Sequence, residues 1–244
     1  MTNRGCYPKK FILKGTPEEL EGLTAKKLAL IAAHCTSVPF ACETATHEEC
    51  KTISTLAKPL VLLVVFHDPG IGRDEIITVA TSRSMMKIIA AASSEDSILM
   101  PQTIPSSDNI LNEAKIDGWL SFVWYSLDVP LQAASPSLED ETSSEAEKEG
   151  IEEDLKNALK KIEEHLSKQN SCLLDSEDDC KLRIAPVPCG DSSRKSYSLA
   201  DLSLAITLHF MMEKGIAVSA MSSEENPHLT SWKKNIHTAL GLAL

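Results

Sequence analysis

The sulfur, imidazole and carboxylate groups are the first residues to weigh for chemistry. Cys172, Cys180 and Cys189 follow His165, and thiolates with an imidazole are ordinary zinc ligands. Their spacings are long and none forms a short cysteine clamp, so loop and core thiols are the favoured reading. His34 and Cys35, with Cys42 shortly after, suggest a nucleophilic Cys/His pair. A buried cysteine at a helix end is the commoner outcome. Ser198 and Asp201 stand three apart before an apolar run. That is the spacing of a capping box, in which the Ser hydroxyl and the carboxylate each bond a backbone N–H at a helix start. The carboxylate also sits well at the positive end of the helix dipole. Leu202, Ala205, Ile206 and His209 follow on one stripe, so this helix is expected to be mostly buried, with His209 a core histidine.

These groups need elements to hold them. Lys10 to Lys14 reads as a strand. Thr16-Pro17-Glu18-Glu19 is a second helix start, with Pro at the first helical position. The helix it opens carries Leu20, Leu23, Leu28, Ile31 and Ala32 and is expected to end near Thr36. Phe40 to Thr44 reads as a strand and Glu48 to Ala57 as a polar helix. Leu60 to Phe66 is a continuous apolar run after Pro59, which suits a strand buried on both faces. His67 to Gly72 is a turn and Glu75 to Ala80 the partner strand of a hairpin. Thr81 to Ala92 is a helix with Met85, Ile88, Ile89 and Ala92 on one stripe.

After a Pro- and Ser-containing linker, Pro101 to Asp108, no further strand is convincing. Ile110 to Leu127 reads as a long helix with Ile116, Trp119, Leu120, Val123 and Leu127 on one face. Ile151 to Leu166, Leu199 to Met212 and His228 to Leu240 complete a helical half. The expected domains are 1–100, a mixed sheet with helices on its faces, and 108–244, a helical bundle. Two inserts interrupt the second: an acidic loop at 135–150 and a polar loop at 170–197. Between Glu139 and Asp154 there are nine carboxylates against Lys148 alone, a net −8 out of the chain's −11. Such a block repels itself and is expected to form a loop through Gly150.

With 244 residues and 43% apolar content the chain can bury a substantial core. A net charge of −11 argues against direct nucleic-acid binding and against an anionic membrane surface. The start lacks an apolar signal region, and the longest apolar run is far short of a membrane span. Seven cysteines without a C-x-x-C pair fit free thiols in a reducing compartment, so a cytoplasmic location is expected. The C-terminal run from Ile236 stops in apolar residues, as in a chain that continues.

Several of these motifs together resemble the glutathione S-transferase (GST) fold, a thioredoxin-like half followed by a helical half. Pro59 stands where that fold places a cis-proline before a strand. Ser82 stands where the family places the Ser of a Glu-Ser pair that holds the γ-glutamyl end of glutathione, with Thr81 in place of the acid. Ser198-Leu-Ala-Asp201 matches the family's capping box, and Pro227-His-Leu-Thr-Ser-Trp232 its Pro-x-hydrophobic-x-x-Trp helix start. The resemblance covers essentially the whole chain. Lys115-Ile-Asp-Gly-Trp-Leu-Ser-Phe122 is similar to a helix in the GST-like N-terminal domain of eukaryotic glutamyl- and glutamyl-prolyl-tRNA synthetases.

That resemblance implies a non-catalytic domain without a cofactor. Its partners would be GST-like domains of other synthetases or scaffold proteins, or a second copy of itself. It implies two pairing surfaces. One runs along the hairpin strand and the following helix, with Thr78, Arg83, Met85 and Met86 as candidates. The other lies around Trp232 and Lys233, where Ser231 replaces an Arg that relatives commonly carry; a Ser cannot form a forked carboxylate pair. The alternative is an active transferase using glutathione. It would need a hydroxyl to lower the thiol pKa of glutathione, and the candidates are Tyr7 and Thr16. Trp119 and Trp232 are expected to be core anchors.

Overall fold

The computed structural model describes residues 8–53, 59–68, 73–92, 107–133, 145–173, 184, 197–216, 221–222 and 224–241. The chain divides into two compact units, Met1–Met100 and Pro101–Leu244.

The first unit runs β1 (Pro8–Gly15), α1 (Pro17–Glu21), α2 (Leu23–Cys35), β2 (Phe40–Thr44), α3 (His47–Ile53), β3 (Leu60–Asp68), β4 (Arg73–Val79) and α4 (Ser82–Ala91). The strands form one sheet in the order β2-β1-β3-β4. β1 pairs with β2 in parallel, Leu13 opposite Cys42. β1 and β3 are antiparallel with Leu13 opposite Leu62, and β3 and β4 are antiparallel with Leu62 opposite Val79. The apolar run at Leu60 becomes an interior strand covered on both faces. Val61 and Leu63 pack with Ala45 and Cys50, backed by Ile12 and Ile53, while Leu62 and Val64 on the opposite pleat are buried too. Gly15 lies where β1 meets α1 and packs closely on Leu60: a Cβ there would come within 2.7 Å of Leu60 Cδ1, so that side chain would have to move.

The single helix expected from Thr16 to Thr36 is two. Gly22 adopts an extended conformation (φ −71°, ψ 166°) between α1 and α2. This interruption resets the helical phase, so that Leu23, Leu28, Ile31 and Ala32 are all buried in α2.

Every element of the second unit among its described residues is helical. It comprises α5 (Ser107–Val123), a π-helical turn (Trp124–Asp128) that continues helically through 133, α6 (Glu145–Leu173), α7 (Leu199–Glu213) and α8 (Pro227–Leu240). α7 is the central helix: every residue from Leu199 to Leu208 is buried, and it packs against both α5 and α8. Two expectations need correction. The acidic loop at 135–150 is helical from Glu145 onward; residues 134–144 lie outside the described residues. Carboxylates in the first turns of a long helix face its positive end, which offsets their mutual repulsion, and farther along Glu152 pairs with Lys156 at 3.6 Å. The polar loop at 170–197 begins later than expected, since α6 runs to Leu173. Within it Ile184 and Tyr197 are buried, and 174–183 and 185–196 lie outside the described residues. No helix among the described residues is long and apolar enough to cross a membrane.

Candidate functional site

The candidate ligand positions of the first unit sit at the ends of β3 and α4. Pro59 is half-buried directly before β3; the residue before it lies outside the described residues. Thr81, not Ser82, caps α4. Its Oγ1 accepts from Ser84 N at 3.4 Å and donates to Ser84 Oγ at 2.8 Å. Ser82 is the first helical residue and is half-buried. The start of α4 thus offers backbone N–H groups suited to an anion beside one hydroxyl. Of the two candidate catalytic hydroxyls, Thr16 serves as the α1 cap, accepting from Glu19 N at 3.4 Å. Tyr7 lies outside the described residues. Thr46 and Glu49 form a reciprocal cap on α3, with Thr46 N donating to Glu49 Oε2 at 2.7 Å and Glu49 N to Thr46 Oγ1 at 3.2 Å. The Thr-x-x-Glu spacing is the local signature of such a cap.

The interface candidates divide. Thr78 and Arg83 are exposed. Met85 and Met86, expected at the surface, are buried: with Ile89 and Ala90 they form the inward face of α4. The surface of β4 belongs instead to Ile76 and Ile77, 58% and 45% exposed. They point to opposite faces of an edge strand whose residues from Arg73 to Thr78 are all exposed. Trp232, the other interface candidate, is completely buried. Lys233 beside it is half-buried, its Nζ 3.4 Å from Met212 Sδ, and burial pushes its ammonium pKa down.

The helical motifs converge on Asp201. Its Oδ2 accepts from Ser198 N at 3.1 Å and from the Ser198 hydroxyl, whose Oγ in turn accepts from Asp201 N at 3.2 Å. Its Oδ1 accepts from Ile184 N at 2.8 Å and from Trp232 Nε1 at 3.1 Å. The capping box therefore also ties down the loop residue Ile184 and the Trp of α8. Burial pushes the Asp201 carboxyl pKa up, and these hydrogen bonds pull against that shift. His165 Nε2 donates to Ile184 O at 3.1 Å, and its ring lies 4.6 Å from that of Trp119. His165 is thus a structural clamp on Ile184, and Trp119 also meets Phe122 edge-on at 5.3 Å.

Three long-range polar contacts had no signal in the sequence. Thr207 Oγ1 donates to Asp128 Oδ1 at 2.8 Å, joining α7 to the π-helical turn. Glu163 on α6 caps α8 from a distance, accepting from His228 N at 3.1 Å and Leu229 N at 2.7 Å. His237, fully buried on α8, donates Nε2–H to Ala205 O at 3.2 Å and meets His209 edge-on at 5.7 Å. His209 itself is only partly buried, with Nε2 3.4 Å from Glu213 Oε1. Among the described residues no group of three or more His, Cys, Asp or Glu side chains is disposed to hold a metal. Cys42 and Cys50 are free thiols, and burial pushes both pKa values up, away from the reactive thiolate. Cys180 and Cys189, and the side chains of Cys35 and Cys172, lie outside the described residues.

No protein-family model matches the chain, and no curated protein matches it. Solved structures do. The chain is similar to Ure2p in complex with glutathione at 13% identity and TM-score 0.66, covering 94% of this chain and 90% of that one. It is similar to the glutathione transferase URE2P6 from Phanerochaete chrysosporium in complex with oxidized glutathione, at 15% identity and TM-score 0.65, covering 94% and 91%. It is also similar to the glutathione transferase BmGSTD1 of Bombyx mori, at 13% identity and TM-score 0.64, covering 96% and 91%. At such identities the likeness shows the fold alone. A four-stranded mixed sheet in a thioredoxin-like half, joined to a helical half, is the GST-like fold, and this chain has it.

Proposed function

We propose that the chain is a non-catalytic GST-like interaction domain that joins an aminoacyl-tRNA synthetase, of the glutamyl type, to GST-like domains of partner proteins in a translation assembly. The observation that supports it most is β4. β4 is an edge strand that, beside the charged Arg73, Asp74 and Glu75, exposes two isoleucines, apolar surface of the kind that marks an interaction site. Such an edge suits strand or helix docking by another domain. The second support is the use of Thr16 as a helix cap, which engages one of the two hydroxyls an active transferase would draw on. The third is the likeness of Lys115–Phe122 to the synthetase helix. The test is co-purification of the full chain from cytosol followed by mass spectrometry. Recovery of a synthetase or scaffold protein, lost on Ile76→Lys with Ile77→Lys, is the expected result; recovery of neither counts against the reading.

A glutathione-dependent transferase is the second reading. It is favoured by Ser82 at the start of α4 and by the glutathione complexes of the similar structures. Saturable turnover of a chromogenic electrophile with glutathione, lost on Ser82→Ala, would establish it and displace the first.

A further inference from the structure

The buried stripe of α8 is Leu229, Trp232, Ile236 and His237. Lys233 stands at its margin, four residues from Leu229 and four from His237, the spacing that aligns side chains on one helical face. A lysine in such a place usually lays its stem on apolar surface and keeps its ammonium in water. The Lys233 ammonium is instead partly withdrawn: the residue is half-buried, and Nζ ends 3.4 Å from the Met212 thioether of α7. A thioether is a weak acceptor. Among the described residues no carboxylate pairs with this ammonium. Glu213, next to Met212, lies 3.4 Å from His209 Nε2 instead. Other lysines are paired: Lys9 with Asp74 at 3.2 Å, Lys14 with Glu43 at 3.3 Å and Lys156 with Glu152 at 3.6 Å. Burial pushes the Lys233 pKa down, so more of it is neutral amine at a given pH than in a lysine at its ordinary value.

We propose that Lys233 is a modification site whose ε-amine accepts an acyl group from an acyl thioester. The neutral amine is the nucleophile, as for other lysines withdrawn from water. Its nitrogen lone pair attacks the thioester carbonyl carbon; the N–C bond forms and the C–S bond breaks. The thiolate leaves with that bond's electron pair and takes up the proton that the nitrogen gives up, so the products are an amide and a free thiol. The site favours that product for a second reason. Acylation removes the charge of a lysine. At Lys9 or Lys14 this breaks an ion pair. At Lys233 it breaks none, and it ends the cost of holding an unpaired ammonium partly out of water. The apolar stem keeps its place beside Met212. Lys233 is buried only in part, so a thioester can approach from solvent, and Lys234 next to it is exposed and serves as an ordinary lysine for comparison.

The full chain is incubated with acetyl-coenzyme A at neutral pH, and tandem mass spectrometry follows acetylation of Lys233 and Lys234 with time. Lys233 is expected to react several-fold faster than Lys234. Met212→Glu sets a carboxylate where the thioether stands and holds the ammonium protonated, so the Lys233 rate is expected to fall to that of Lys234 or below. Met212→Leu, which keeps the packing and adds no charge, is expected to keep the fast rate. Lys233→Met keeps a long apolar stem and removes the charge; Tm is expected to hold or rise, because no ion pair is lost. Acetylation of Lys233 no faster than that of Lys234 overturns the proposal. So does a Lys233 rate that Met212→Glu leaves unchanged in a folded chain, or a Tm that falls on Lys233→Met as it would on loss of a paired lysine.

Discussion

Asp201 shows how much one side chain can organise. A carboxylate buried to this degree persists because donors from three places in the chain converge on it: Ser198, Ile184 and Trp232. Removing it leaves buried N–H groups unpaired, each worth about 1–3 kcal/mol. Asp201→Ala is therefore expected to lower stability by about 3 kcal/mol or more in urea unfolding. Ser198→Ala, which removes the hydroxyl and keeps the acceptor, should cost about 1 kcal/mol. His237 gives a pH dependence with a definite sign. Burial, then the neighbouring His209 and Lys233, lower its pKa below the ordinary 6.5, against the pull of the Ala205 carbonyl. The unfolded chain thus takes up the proton first as pH falls. The stability due to neutral His237 is complete above 6.5 and declines below it, down to the lowered folded value. His237→Gln is expected to flatten the wild-type fall in urea midpoint between those two values.

At the scale of elements, helix ends account for most of what was legible and most of what was not. The cap at Ser198 and the Pro at 227 announce α7 and α8 because capping acts within one turn of the chain. Glu163 does the same work for α8 from another helix, and no local pattern reveals it. Glu163→Ala is expected to cost about 1–2 kcal/mol by removing acceptors for His228 N and Leu229 N. The acidic segment misled for a related reason: repulsion is visible in composition, whereas the helix that tolerates it depends on continuation into Leu155, Leu159 and Ile162, all buried. Gly150, exposed with open space at its Cβ position, tests this. Gly150→Ala should raise stability by about 0.5–1 kcal/mol if the helix includes it, and a loop there predicts no gain in the melting curve.

Across the whole molecule, charge and exposed apolar surface act together. A chain at −11 repels other copies of itself, and that repulsion weakens as salt rises. The sequence by itself determined the order of strands and helices, a mixed-sheet half followed by a helical half, the doubly buried β3 and the caps at Thr16 and Ser198. These depend on residues within a few positions of one another. Only the tertiary structure decided that Met85, Met86 and Trp232 turn inward while Ile76, Ile77, Leu111 and Tyr125 remain outside, and that Asp201 reaches Ile184 and Trp232. Burial and long-range hydrogen bonds depend on which elements pack together, and neighbours far apart in the chain leave no mark on local spacing.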